Sequence, residues 1–211
     1  MLEIKNVNVY DFRESIIACR NAMRLDLPEY TEEEFEKSLE RAKKLVQASK
    51  NGTVKCHDNF LTGIRVSFDL KYPQYISPEL QRYHFFDIVT SMSKMHRLVK
   101  MDLSKCCNKY VTQKTIDHMN ELIAEYNKIS QTPVPSDVRY TREHNKRVYE
   151  AWMKVISNCP EGLEMWMRCS TNYKQLQTIY FQRKNHKLKE DWGEFCNFIE
   201  SLPYAKELII G

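Results

Sequence analysis

The sequence predicts a helix-rich α/β (α+β) fold, because it carries strand patterns in its first third and helical patterns along most of its length. Between Ile64 and Leu70, apolar residues alternate with polar ones, which is the period of a half-buried strand. The opening MLEIKNVNVY indicates another, shorter strand. Elsewhere, apolar residues recur every three or four positions, as they do on the buried face of an amphipathic helix.

The first predicted helices begin at recognisable capping signals. Asp11, with Glu14 three residues later, predicts a capped helix directly after the opening strand. Thr31 and Glu34 form a second capping box. The apolar residues that follow keep a helical spacing, so we expect an amphipathic helix from Thr31 to Ser49.

The later helices are predicted from a proline signal and from apolar stripes. Ser77 is a favourable N-cap, and Pro78 suits the first position of a helix, where a missing N–H group costs nothing. This helix should follow the alternating strand directly. Apolar stripes predict further helices over residues 116–126, from near 141 to 156, over 172–183 and over 192–199.

Length and composition indicate one domain that covers residues 1–211. The chain has no linker rich in glycine, serine or proline, and the only loop-like stretch, residues 130–136, is short. No run approaches the roughly 18 apolar residues of a membrane span, and the N-terminus lacks the pattern of a signal peptide. We therefore expect a cytoplasmic protein without a membrane partner.

Charge and cysteine usage exclude further classes of protein. The 32 basic and 28 acidic residues give a net charge of +4, which is too balanced to indicate nucleic-acid binding. Seven cysteines, with Cys106 and Cys107 adjacent, argue against the disulfide framework of a secreted protein. Because no Cys-x-x-Cys pair occurs, we expect no metal site.

Residues 57–96 contain an unusual density of Arg, His and Ser. Arg82 and His84 are predicted on or just past the helix that Pro78 begins, and Ser91 and Ser93 come soon after. Guanidinium and hydroxyl groups close to the end of a strand suit an anion such as phosphate. The segment is therefore a candidate anion site.

The same segment resembles the flavin-dependent thymidylate synthases. These proteins carry a histidine-led segment, then a strand, then the signature R-H-R-x-x-S. Aligned without gaps, the leading histidine falls on His57, and the R-H-R triplet falls on residues 82–84, which read Arg-Tyr-His. Asp87 stands at the first serine of the signature, and Ser91 and Ser93 lie on either side of the later one.

The resemblance continues towards both ends of the chain. The opening strand and helix are similar to the family's N-terminal strand and its A-R-x-C-type helix. The residues Asn172-Tyr173-Lys174 resemble the family's N-A-R segment, and Arg183 matches the arginine eleven residues after its asparagine. That spacing is about three helical turns, so both positions would share one face of a helix.

The resemblance implies a twisted, mainly antiparallel sheet flanked by several helices, in a homotetramer whose flavin sites lie between subunits. It implies FAD as the cofactor and a reductive methylation of dUMP that uses methylenetetrahydrofolate and NADPH. The residues implied beside the flavin are His57, Arg82, His84 and Asn172. The resemblance also implies contacts to the pyrimidine nucleotide monophosphate from Glu79, Ser91, Ser93, Lys174 and Arg183. Arg183 is in addition the implied catalytic residue.

Departures from the family pattern leave alternatives open. Glu79 stands where the family commonly has a glutamine, and an acceptor there could select an amino-bearing ring such as cytosine. The basic stretch from Arg183 to Lys189 is either a solvated helix end or a phosphate site. The sequence is therefore also compatible with a flavoenzyme that modifies another pyrimidine nucleotide, such as dCMP, and with a noncatalytic nucleotide-binding homologue.

Overall fold

The chain folds into an antiparallel sheet flanked by helices, as its strand and helix patterns predict. The structure, a computed structural model, describes residues 2–52, 57–133 and 137–211. Val134, Pro135 and Ser136 of the predicted loop lie outside the described residues. The chain is 58% helical and carries a four-stranded antiparallel sheet over its described part, so the predicted helix-rich α/β fold is confirmed.

The sheet has the strand order β1-β2-β4-β3. Its strands are β1 (Glu3–Tyr10), β2 (Arg65–Pro73), β3 (Asp87–Ser91) and β4 (Glu164–Asn172). β1 runs antiparallel to β2, with Ile4 opposite Leu70 and Val9 opposite Val66. Both strands that the sequence predicts are therefore confirmed, whereas β3 and β4 are present in the structure but not predicted from the sequence.

β1 is an edge strand with an irregular middle. Its register with β2 shifts between Lys5 and Asn8, and Asn6 adopts a left-handed backbone with a φ of 51°. The Asn6 carbonyl accepts a hydrogen bond from Arg168 Nη1 at 3.0 Å, and Asn6 Nδ2 donates to Asp69 Oδ2 at 2.6 Å. An irregularity of this kind bends the edge of a sheet and increases its local twist.

Most of the described helices lie close to where the sequence predicts them, and two single-turn helices between residues 94 and 106 are not predicted. Their bounds are α1 (Phe12–Ala18), α2 (Glu32–Lys50), α3 (Ser77–Leu80), α4 (Lys94–Arg97), α5 (Leu103–Cys106), α6 (Gln113–Ser130), α7 (Val138–Ser157), α8 (Tyr173–Arg183) and α9 (Lys189–Glu200). Thr31 caps α2 as predicted, since its Oγ1 accepts a hydrogen bond from the Glu34 backbone N–H at 3.2 Å. A π-helical turn, Lys206–Ile210, follows α9.

The predicted starts of two helices are wrong in detail. Asp11 precedes α1, but its backbone is left-handed with a φ of 54°, and its side chain makes no capping hydrogen bond. Ser77 is the first residue of α3 rather than its cap, because a 3-10 turn over Gln74–Ile76 runs into the helix and gives Ser77 helical dihedral angles. α3 is a single turn that ends at Leu80, so the Arg-Tyr-His triplet lies beyond it.

The chain divides into two compact units. The first consists of Met1–Tyr72, Pro78–Thr90 and Trp166–Gly211, and the second of Pro73–Ser77 and Ser91–Met165. The prediction of one domain for the whole chain stays a prediction. None of the helices in the described ranges has the length and apolar character that a membrane crossing requires.

In the first unit, the buried face of β2 meets aromatic side chains of α9. Phe68 of β2 lies with its ring centre 6.0 Å from that of Phe195 and 4.8 Å from that of Phe198. α8 buries Leu176 and Ile179, as the sequence predicts. These contacts hold α8 and α9 in the core, and both helices carry residues of the candidate site.

In the second unit, α6 and α7 pack around one hydrophobic cluster. Its buried members are Leu98, Leu103, Ile116, Met119, Ile123, Val155 and Leu163. The turn before β4 closes on the segment after α5, where the Asn108 backbone N–H donates to the Gly162 carbonyl at 2.9 Å. A Cβ atom on residue 162 would lie 2.4 Å from Val111 Cγ2, so this close approach requires glycine.

Candidate functional site

In the first unit, side chains from α3, α8, α9 and the turns after α3 and α8 meet around Arg183. We call Glu79, Tyr83, Arg183, His186 and Trp192 the Arg183 cluster. Arg183 is the last residue of α8, and its side chain is only 12% exposed. Its Nε donates to Tyr83 Oη at 2.6 Å, and its guanidinium carbon lies 4.4 Å from the centre of the Trp192 ring. The guanidinium group is therefore fixed in position and orientation.

Glu79 is the anion of the Arg183 cluster. Its carboxylate accepts a hydrogen bond from Trp192 Nε1 at 2.7 Å and contacts Arg183 Nη1 at 3.0 Å. His186 Nε2 lies 3.6 Å from the same carboxylate. Glu79 therefore faces side chains of its own chain, and it neutralises the charge of Arg183.

The side chains of the Arg-Tyr-His triplet differ in exposure. Tyr83 is buried, and this burial raises the pKa of its phenol, against the lowering effect of the hydrogen bond from Arg183. Arg82 and His84 are exposed. Among the residues that the structure describes, none forms a hydrogen bond or ion pair with Arg82, so its guanidinium group is available to an anionic ligand.

The start of α8 holds Asn172 and Lys174, which the resemblance assigns to the cofactor and the substrate. Asn172 is buried, and its Oδ1 caps α8 by accepting a hydrogen bond from the Gln175 backbone N–H at 2.8 Å. Lys174 Nζ contacts the Asp58 carboxylate and donates to Gln177 Oε1 at 3.1 Å. Both predicted site residues thus have partners within the chain.

Asp58 is 1% exposed, and Lys174 supplies its counter-charge. Over the described residues, Asp58 Oδ1 and Gln177 Nε2 are buried without a hydrogen-bond partner. Lys50 lies near this pair, and its Nζ donates to two carbonyls of residues 206–211 at 2.9 and 3.0 Å. Burial lowers the pKa of Lys50 to about 8, although the Asp58 charge opposes that shift.

His57 is exposed and lines a cavity of about 870 Å³ in the first unit, which we call the His57 cavity. Arg20, Arg41 and Lys44 make its wall basic, and Glu40 offsets part of that charge. A smaller cavity of about 350 Å³ also borders His57. Clefts of several hundred Å³ are the usual size of small-molecule sites.

Ser91 and Ser93 belong to the second unit, where they lie at the end of β3 and directly before α4. Both side chains are exposed, and Ser93 makes no side-chain capping bond to α4. All the other predicted site residues lie in the first unit, where Glu79 and Arg183 are in direct contact.

The described thiols are free, and that of Cys19 borders the His57 cavity. Burial raises the pKa of Cys107 to about 11 and that of Cys169 to about 12, so both stay protonated at neutral pH and are poor nucleophiles. Within residues 2–52, 57–133 and 137–211, no group of three or more His, Cys, Asp or Glu side chains is arranged to hold a metal ion.

Sequence reasoning misses Asp58, Tyr83 and Trp192. The stripe that contains Trp192 predicts a core residue, and Trp192 is buried, but the pattern gives no sign that its N–H group meets Glu79. Tyr83 stands inside the triplet at a position where the family signature has histidine. Asp58 follows His57 in a segment without periodicity. A polar contact between distant segments leaves no signature in a single sequence.

Comparison with solved structures identifies the fold, whereas no protein-family model and no curated relative matches the sequence. One similar structure is the flavin-dependent thymidylate synthase ThyX from Helicobacter pylori complexed with FAD and dUMP; the TM-score is 0.64 at 16% identity over 99% of this chain and 96% of that one. Another, thymidylate synthase X from Helicobacter pylori with FAD and dUMP, has a TM-score of 0.60 at 17% identity over 99% and 97% of the chains. The resemblance read from the sequence is confirmed at the level of the fold: this chain has the fold of the flavin-dependent thymidylate synthases.

Proposed function

We propose that this chain is a flavin-dependent enzyme of the thymidylate synthase type, which methylates dUMP reductively with methylenetetrahydrofolate and NADPH. The observation that carries the proposal is the fold. It matches that of a Helicobacter pylori enzyme complexed with FAD and dUMP over 99% of this chain. Because one fold can host several activities, the proposal also needs support from side chains. The first unit supplies that support.

The His57 cavity and the Arg82 side chain suit FAD. The cavity, at about 870 Å³, is as large as a cofactor pocket, and the cations Arg41 and Lys44 on its wall suit pyrophosphate oxygens. Bound FAD would supply the hydride chemistry, so the protein has mainly to hold two rings in alignment. The residues that we propose beside the flavin are His57, Arg82, His84 and Asn172.

Arg183 is the residue that we propose for the nucleotide phosphate. Its planar guanidinium fork matches the geometry of phosphate oxygens. Leu176 and Ile179 anchor α8 in the core, so Arg183 projects from a rigid element. Arg183 would also act as the catalytic residue by holding the pyrimidine against the flavin. The other nucleotide contacts that we propose are Glu79, Ser91, Ser93 and Lys174.

A homotetramer in the cytoplasm is the assembly that we propose, with each flavin site completed by a neighbouring subunit. The exposed Arg82, which has no partner among the described side chains, suits a site that is only part-built within one chain. The even mixture of acidic and basic residues favours a nucleotide over a nucleic acid as the ligand.

A noncatalytic nucleotide-binding protein is the second candidate. The contact of Glu79 with Arg183 at 3.0 Å favours it over the enzyme, because an arginine held by an internal carboxylate is less free to position a pyrimidine against the flavin, as the catalytic role requires. Modification of dCMP has less support than either candidate. The Glu79 carboxylate is engaged by Trp192 and Arg183, and would have to leave both of them to accept a hydrogen bond from the amino group of cytosine.

Spectroscopy and calorimetry test the proposal together. The purified protein should show the absorbance bands of oxidised flavin, or acquire them with added FAD. Titration of dUMP and dCMP into the flavin-loaded protein then identifies the nucleotide, and formation of dTMP with methylenetetrahydrofolate and NADPH tests the reaction. Nucleotide binding without product would favour the second candidate. A colourless protein that takes up no FAD would contradict the flavoenzyme.

A further inference from the structure

The Glu79 carboxylate marks a place where the chain gathers donors for an anion. Trp192 Nε1 lies 2.7 Å and Arg183 Nη1 3.0 Å from Glu79 Oε2, and His186 Nε2 lies 3.6 Å from Oε1. Phosphate oxygens accept the same charge-assisted hydrogen bonds from a guanidinium group as carboxylate oxygens do. A phosphate placed here would find the donors that now serve Glu79.

The Glu79 carboxylate and a bound phosphate cannot both contact Arg183 without repelling each other. Arg183 Nε donates to Tyr83 and its Nη1 contacts Glu79, so two of the five N–H groups of the guanidinium already have partners within the chain. A phosphate at the same fork would be repelled by the carboxylate unless the carboxylate moved away. We propose that Glu79 is a specificity-determining residue, which competes with phosphate for Arg183 and thereby sets how tightly the site binds phosphate monoesters. This inference rests on the proposed nucleotide site.

The geometry allows Glu79 to leave while Arg183 stays. The Glu79 side chain is 26% exposed, so its carboxylate can swing into water, where it is hydrated. Arg183 remains held by the Trp192 ring at 4.4 Å and by the hydroxyl of Tyr83 at 2.6 Å. The Trp192 N–H group, which loses its acceptor when Glu79 leaves, can donate to the phosphate instead. The exchange replaces one anion with another on a preformed set of donors.

Glu79→Gln tests the competition, because it removes the charge but keeps an oxygen that accepts from Trp192. Calorimetric titration of inorganic phosphate and of dUMP should give affinities higher by about tenfold or more in Glu79→Gln than in the wild type. Glu194→Gln is the matched control, since it removes an exposed carboxylate from the same helix as Trp192 and should leave both affinities unchanged. Combining Glu79→Gln with Arg183→Gln should abolish the gain.

A spectroscopic measurement on the wild type covers the case in which Glu79→Gln fails to fold. The indole N–H resonance of Trp192, identified by comparison with Trp152→Phe and Trp166→Phe, should shift during titration with phosphate because its acceptor changes. A resonance that does not move while calorimetry reports saturation would place the phosphate elsewhere and overturn the proposal.

The outcomes separate this inference from the proposed function. Equal phosphate and dUMP affinities in the wild type and in Glu79→Gln overturn the competition, even if the protein binds FAD and forms dTMP. Absence of phosphate binding in both proteins also overturns it. Failure to take up FAD counts against the proposed flavoenzyme alone, because the phosphate titration can be carried out on the flavin-free protein and still decides whether Glu79 competes.

Discussion

Buried charges near the start of α8 show how single residues affect the electrostatics of the fold. Asp58 is almost without solvent contact and is paired with Lys174, whose side chain is 37% exposed. Lys50 brings a second ammonium group close to the same carboxylate. Removing an ammonium group from water disfavours its charged form. The protonation of Lys50 is therefore linked to folding.

The pH dependence of stability should report this linkage. The pKa of Lys50 falls from 10.5 to about 8 on folding, so between those pH values the unfolded chain binds more protons than the folded one. The free energy of unfolding of the wild type should therefore rise with pH across that window relative to Lys50→Met, which lacks the group. Urea denaturation of both proteins at several pH values measures the difference. If the free energies of unfolding of the two proteins change in parallel with pH, the lowered pKa of Lys50 is contradicted.

Arg82 offers a prediction about the cofactor. Arg82→Ala should weaken FAD binding by about ten- to a hundredfold, because a charge-assisted hydrogen bond contributes roughly 1.5–3 kcal/mol. Quenching of flavin fluorescence measures the affinity. Arg142→Ala removes the same side chain from an exposed position on α7, and the FAD affinity of this control should equal that of the wild type. An unchanged affinity in Arg82→Ala would remove Arg82 from the site.

Among the elements, α8 links the fold most directly to the candidate site. Asn172 caps its first turn, buried apolar residues hold its middle, and Arg183 ends it. The two ends are about 16 Å apart at 1.5 Å per residue. Arg183 in the last turn also interacts favourably with the negative end of the helix dipole. Packing of α8 therefore fixes polar groups at both of its ends.

Variants of Asn172 should separate its structural role from its proposed contact with the flavin. Asn172→Ala should lower the free energy of unfolding by about 1–2 kcal/mol, because the helix loses a buried cap. Asn172→Asp keeps an acceptor and should retain most of the stability, but it should bind FAD more weakly if Asn172 touches the cofactor. Urea denaturation and FAD titration give the two readouts. If the wild type, Asn172→Ala and Asn172→Asp have equal free energies of unfolding, the Asn172 cap does not stabilise the fold.

The elements differ in how far one sequence predicts them. β2 and α2 have local signals, namely an alternating run and the Thr31 cap, and both are predicted to within a few residues. β3 is exposed along its length, so it has no buried face to impose a period. Buried and partly buried residues alternate along β4, but two of its buried positions are Cys169 and Thr171. Because neither side chain is strongly apolar, the sequence of β4 shows no clear alternation of apolar and polar residues. The contact between Glu79 and Arg183 joins distant segments, so only the folded chain reveals it.

At the scale of the whole molecule, apolar side chains remain exposed on the sheet of the first unit. Val89 of β3 is 63% exposed and Trp166 of β4 is 52% exposed. Large apolar groups that stay exposed in a monomer are often covered in an assembly. These side chains agree with the homo-oligomer that we propose.

The mass of the protein in solution tests the proposed assembly. Light scattering of the flavin-loaded protein should give the mass of four chains of 25.2 kDa each. Because flavin sites between subunits would link FAD binding to assembly, dilution should release flavin and subunits together. A stable single chain that keeps its flavin would contradict the tetramer.

The irregular middle of β1 also affects how the chain behaves at high concentration. A regular edge strand is a template onto which a strand of another molecule can add, which is the first step towards cross-β aggregates. In β1 the left-handed Asn6 and the register shift interrupt that template, and Arg168 occupies the Asn6 carbonyl. Intermolecular strand addition at this edge is therefore disfavoured by the backbone itself, whatever the apolar content of the strand.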